Sequence, residues 1–151
     1  MVTNVLYTAE ATATGGRNGS VSSSDGNLDL TVAPPKELGG PGGEGTTNPE
    51  ELFAACYAAC FHNAMLAVAQ HKELDASDSS VTARIGLGPT GDGPGFGIKV
   101  ALSVEVPRLD SERAERLVQS AHKVCPYSNA IRDNVDVELD VRAGSEAATP
   151  A

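Results

Sequence analysis

Apolar and polar positions alternate from Val5 to Thr14, with Val5, Tyr7, Ala9, Ala11 and Ala13 on one side, which predicts a strand. Gly15-Gly16-Arg17-Asn18-Gly19 follows as a turn of residues that tolerate positive φ. Asp25-Gly26 then joins two short strands, Ser20–Ser24 and Asn27–Val32, in a hairpin pattern. The expected unit is three-stranded and antiparallel, with Arg17 in its first connection. Residues 33–47, rich in Gly and Pro, form a long loop suited to a cover or a linker.

The period changes at Asn48. The stretch NPEELFAACYAACFHNAM has Asn48 as N-cap, Pro49 at the first helical position and Glu51 three residues after the cap, a capping-box pattern. Glu50 and Glu51 suit the positive end of the helix dipole. Beyond Leu52 the run is apolar on every side, as in a buried helix, and continues to about His71, roughly 30 Å at the usual rise. Val81–Leu87 and Phe96–Val106 alternate again across a Gly/Pro-rich stretch and read as a hairpin. Asp110 or Ser111 caps a second helix, whose apolar stripe is Ala114, Leu117, Val118, Ala121, Val124 and Cys125. Pro126 disfavours helical geometry at Cys125, which therefore ends that helix. Tyr127–Arg132 reads as a connector, and Val135, Val137, Leu139 and Val141 alternate in a last strand. The order βββ–α–ββ–α–β is α+β. One domain is expected over residues 1–142, with a disordered tail at 143–151. A central helix apolar on all sides needs more cover than these strands give, so an obligate dimer is expected.

Composition narrows the partners. The 151 residues hold 20 Asp and Glu against 11 Lys and Arg, a net charge of −9, which argues against nucleic acid or an anionic membrane surface. The charged start of the central helix also argues against a membrane span. The first residues lack the apolar segment of a signal peptide, so the three cysteines point to a reducing, cytoplasmic setting.

Cys56 and Cys60 lie one helical turn apart, and no cysteine starts a helix. A reactive Cys60 would need a cation from elsewhere to lower its pKa. The cysteines and histidines do not make a recognisable zinc spacing. His62, His71 and His122 offer weak bases for a Cys–His hydrolase. From the residues alone, buried packing thiols and a redox thiol both remain open.

The stretches LYTAEATATGGRNG (6–19), SSDGNLDL (23–30), PKELGG (35–40), TNPEELFAACYAACF (47–61), VCPYSNA (124–130) and NVDVELDV (134–141) occur in one order along nearly the whole chain. In these the chain resembles the organic hydroperoxide resistance (Ohr) family of the Ohr/OsmC superfamily. The resemblance implies an OsmC-like fold, antiparallel sheets wrapped around two long central helices, as an intertwined homodimer. It implies a thiol peroxidase acting on organic and fatty-acid hydroperoxides. Cys60 would be the peroxidatic thiol, Cys125 the resolving thiol, Arg17 the group that holds the thiolate, and Glu50 the group that orients Arg17. It further implies no bound cofactor and reduction by an external dithiol on a lipoylated protein. Phe53, Tyr57, Phe96 and Tyr127 are candidate walls of an apolar substrate pocket. Cys56 departs from the family, which usually has Gly there; inert packing is the expected reading. The OsmC branch and a non-catalytic redox sensor are the alternatives.

Overall fold

The computed structural model describes residues 2–91 and 93–144. The chain divides into two compact units, 1–52 and 53–151.

In the first unit, β1 (Ala11–Thr14), β2 (Gly19–Ser23) and β3 (Asp29–Val32) form the expected antiparallel series, and β4 (Thr46–Thr47) adds a short parallel pairing beside β3. Both turns form as their residues dictate. Asn18 N–H closes on the Gly15 carbonyl at 3.1 Å, and the Asp25 carboxylate accepts from Ser23 Oγ and from the Asn27 backbone and side chain. Gly19 is required sterically, because a Cβ there would lie 1.9 Å from the Thr14 carbonyl oxygen. The first strand is shorter than its alternation predicts. Val5, Leu6 and Tyr7 lie outside β1 and are exposed, Leu6 at 91%. Alternation marks a segment able to form a strand but does not supply the partner strand it needs.

Helix α1 (Pro49–His71) starts as expected, with Glu51 N–H donating to Asn48 Oδ1 at 2.9 Å. The Glu51 carboxylate accepts from Thr47 Oγ1 instead of closing the second half of a capping box. In length and composition α1 meets the measure for a membrane span, a measure that a core helix also meets. Five of its side chains, Tyr57, Phe61, Ala64, Met65 and Ala69, are buried in the core.

In the second unit, β5 (Ser80–Pro89) and β6 (Phe96–Val106) pair antiparallel, and β7 (Val137–Ala143) lies parallel to β6. The β6 alternation is clean: Val100, Leu102, Val104 and Val106 are fully buried, whereas the residues between them are not. Helix α2 (Ser111–Val124) is capped by Asp110, whose carboxylate accepts from Arg113 N–H at 2.9 Å, and buries Ala114, Leu117, Val118 and Ala121. Val124, read as part of the same stripe, is exposed. The segment after Cys125 is a helix, α3 (Pro126–Ile131), and not an irregular connector. Ala143, read as the start of the tail, instead closes β7 and is buried, because its register with Val106 carries the strand two residues beyond Val141. Residues 145–151 of that tail lie outside the described residues.

Candidate active site

Two groups of residues singled out by sequence come together, one in each unit. In the first, Arg17 and Glu50 form a bidentate pair, with Nη1 to Oε2 at 2.8 Å and Nη2 to Oε1 at 2.6 Å. Such a fork fixes the guanidinium plane as well as its place. The β1–β2 turn presents the arginine, and the first turn of α1 presents the carboxylate. The hydrogen bond from Arg17 holds Glu50 below the usual carboxylate range, and the same pairing raises Arg17, so both stay charged at neutral pH.

In the second, Cys60 and Cys125 lie side by side. All three cysteines are free thiols. Cys60 sits in the middle of α1, partly buried against the core. Cys125 is the joint between α2 and α3. Its N–H donates to the Ala121 carbonyl at 2.8 Å, ending one helix, and its carbonyl accepts from Asn129 N–H at 3.0 Å, starting the next. Its φ of −62° and ψ of 124° are the extended geometry that Pro126 imposes on the residue before it. Although it stands at a helix end, Cys125 is fully buried, as part of the hydrophobic core cluster.

Burial pushes the Cys60 thiol above its ordinary pKa, and the neighbouring Cys125 adds to this by charge and hydrogen bonding. The backbone N–H of Tyr127 acts the other way, and Cys56 adds a small upward push. The second unit therefore sets two thiols together and leaves Cys60 less acidic than a free cysteine.

Three of the four candidate pocket residues meet. Phe53 and Tyr57 stack edge to face with centroids 6.0 Å apart, and Tyr127 lies 6.1 Å from Tyr57 and 6.5 Å from Phe53. Tyr57 is fully buried, so Phe53 and Tyr127 are the rings that reach the surface of this cluster. Phe96 opens β6, is 68% exposed and is not among the stacked rings. Cys56 donates to the carbonyl of Phe53 at 3.2 Å, as a packing thiol does within its own helix, and lies beside the Tyr127 hydroxyl.

Two residues in this region carry no strong signal in the sequence. His122 follows Val118 and precedes Cys125 at helical spacing, so its place on the buried side of α2 was available from the pattern. Ser128 lies in the segment read as a connector, and nothing nearby marks it as buried. Its hydroxyl contacts both Tyr57 Oη and His122 Nδ1, at 2.9 Å each.

The OsmC-like protein family model matches residues 41–140. The chain is 54% identical over 136 residues to the organic hydroperoxide resistance protein of Xanthomonas axonopodis pv. citri, covering 89% of this chain and 94% of that protein. The crystal structure of an organic hydroperoxide resistance protein from Legionella pneumophila superposes with a TM-score of 0.87 at 51% identity, over 92% of this chain and 99% of the other. That of OhrB from Bacillus subtilis gives 0.83 at 44% identity, over 91% and 100%. Family match, identity and shared fold agree with the motif order along the chain, and the chain belongs to the organic hydroperoxide resistance branch of the OsmC-like family.

Proposed function

We propose that the protein is a thiol peroxidase that reduces organic hydroperoxides to alcohols. The observation that carries this reading is the pair of free thiols, Cys60 and Cys125, held side by side from distant parts of the chain. The Cys60 thiolate attacks the terminal oxygen of ROOH. The O–O bond breaks, the alkoxide takes a proton to leave as ROH, and Cys60 becomes a sulfenic acid. The Cys125 thiol then attacks that sulfur. A disulfide forms, water leaves, and irreversible overoxidation is avoided. An external dithiol of the lipoyl type returns two electrons and two protons.

The cycle needs a cation, since burial disfavours the Cys60 thiolate. By its resemblance to the family, Arg17 takes that role. Its bidentate bond to Glu50 holds the guanidinium in one orientation and neutralises a carboxylate that would otherwise repel a thiolate. Phe53 and Tyr127 provide apolar surface suited to an alkyl chain, which favours organic hydroperoxides over small, well-hydrated hydrogen peroxide. The working unit is a homodimer in the cytoplasm. The exposed apolar residues Val5, Leu6 and Tyr7 support the dimer, as surface that a second copy would cover.

The test is peptide mass spectrometry after one equivalent of tert-butyl hydroperoxide, with hydrogen peroxide in parallel. A Cys60–Cys125 disulfide, formed much faster with the organic peroxide, is the expected result. A Cys56–Cys60 bond would overturn the resolving role of Cys125, and equal rates with the two peroxides would overturn the substrate class.

A further inference from the structure

Ser128 is the buried polar side chain among the described residues, 1% exposed. Its Oγ lies 2.9 Å from Tyr57 Oη and 2.9 Å from His122 Nδ1. The placement of these residues along the chain matters. Tyr57 is one helical turn before Cys60 on α1, His122 is one turn before Cys125 on α2, and Ser128 is one turn after Cys125 on α3. A single hydroxyl thus ties the turn that carries Cys60 to both turns that flank Cys125.

The three groups satisfy one another in either sense: Tyr57 O–H can donate to Ser128 Oγ and Ser128 O–H to an unprotonated His122 Nδ1, or His122 Nδ1–H can donate to Ser128 Oγ and Ser128 O–H to Tyr57 Oη. No buried polar side-chain atom among the described residues is left without a partner. The surroundings are apolar: the Phe61 ring lies 6.4 Å from that of Tyr57 and 6.4 Å from that of His122. Water therefore does not readily replace a lost partner at Tyr57.

A disulfide tolerates only a narrow range of Cα separation and dihedral angle. Closure of Cys125 onto an oxidised Cys60 competes with a second peroxide, which would take the sulfenic acid to sulfinic acid. The outcome depends on how well the α2–α3 joint is held against α1, and Ser128 is the hydrogen-bonded link between them. We propose that Ser128 is a positioning residue for the second half of the cycle, setting the rate at which a Cys60 sulfenic acid closes onto Cys125. This rests on the peroxidase reading above.

The test separates the two halves of the cycle in the full chain. Wild type, Ser128→Ala, Ser128→Thr and Tyr57→Phe are treated with increasing tert-butyl hydroperoxide. Loss of the Cys60 thiol reports the first step; the ratio of Cys60–Cys125 disulfide to Cys60 sulfinic acid reports the second. For Ser128→Ala, thiol loss stays within about twofold of wild type while disulfide closure slows about tenfold, the equivalent of one buried hydrogen bond. The sulfinic fraction then grows with peroxide. Ser128→Thr keeps the hydroxyl and restores the ratio. Tyr57→Phe, which removes one hydroxyl without changing shape, moves the ratio in the same direction as Ser128→Ala. The inference is overturned if both variants close the disulfide at the wild-type rate, or if both steps slow together in Ser128→Ala, as a general loss of structure would produce. Absence of the Cys60–Cys125 disulfide in wild type would overturn the peroxidase reading, and this one with it.

Discussion

Replacing Ser128 with Ala strands two polar groups at once, and a double-mutant cycle with Tyr57→Phe measures how much of the cost comes from each. Tyr57 is fully buried, so its hydroxyl finds no water when Ser128 Oγ is removed. Leaving one such group unpaired costs about 1–3 kcal/mol, whereas replacing both partners of a hydrogen bond by apolar groups of the same shape can be nearly neutral. His122 is partly exposed and can recover part of its loss from solvent. Ser128→Ala is therefore expected to destabilise the fold by about 2–3 kcal/mol and Tyr57→Phe by about 1 kcal/mol. In the Tyr57→Phe background the serine no longer has a phenol to strand. The second substitution should then cost about 1–2 kcal/mol less than it does alone. The assay is urea unfolding of the four proteins in excess dithiol at one fixed protein concentration, comparing midpoints at constant slope. Additivity within about 0.3–0.5 kcal/mol would refute the reasoning, since it would mean that the two hydroxyls do not depend on each other.

Other outcomes follow from the same geometry. On the proposed mechanism, Arg17→Ala should raise the Cys60 pKa and lower its thiolate fraction at neutral pH; pH-dependent alkylation reads this, and an unchanged curve would remove Arg17 from the mechanism. His122 is held below the ordinary histidine pKa, first by burial and then by Arg132, so the unfolded chain takes up its proton first as pH falls. Its contribution to stability is fully present above the unfolded value, about pH 6.5, and is lost as pH falls from there through its lower folded value. Urea midpoints between pH 7.5 and 5.5 should show this slope, and a His122→Phe variant that kept the same slope would contradict it. Asp110→Ala should cost about 1 kcal/mol by uncapping α2, and no change in thermal unfolding would show that the cap contributes nothing.

What the sequence made legible was set by short-range chemistry. The Asn48 cap, the Asp25-Gly26 turn, the alternation along β6 and the Asp110 cap depend on residues within a few positions of one another, and each forms as expected. Val5–Tyr7 alternate as well as β6 does, yet are not in a strand, because strand formation also needs a partner. Cys125 stands at a helix end as Pro126 dictates, whereas α3 beyond it, six residues long, leaves too little periodicity to read. The Arg17–Glu50 pair joins a turn to a helix start across 33 positions, and no local pattern announces such a pairing. Motif order, and not spacing, pointed to it. Ser128 was missed for the same reason as α3: a hydroxyl residue after proline reads as a solvated turn, and only the tertiary fold turns it inward.

The parallel pairing of β6 with β7 bears on how the protein comes into being. The β5–β6 hairpin can close by itself, with Pro89 opposite Phe96 at its tip. Joining Val100 to Val137 must wait until α2 and α3 have formed and brought the chain back. Contacts of such separation slow folding, because the loop entropy is lost before the contact forms. The last strand is therefore expected to dock late, with φ-values near zero for truncations such as Val137→Ala and Leu139→Ala. On a ribosome the order is stricter still. Cys60 emerges and enters its helix well before Cys125 exists, and the joint that holds Cys125 is anchored only once β7 is in place. On the proposed cycle, the nascent chain thus carries Cys60 without its resolving partner, and the window in which it can be damaged is set by translation and docking of its final strand.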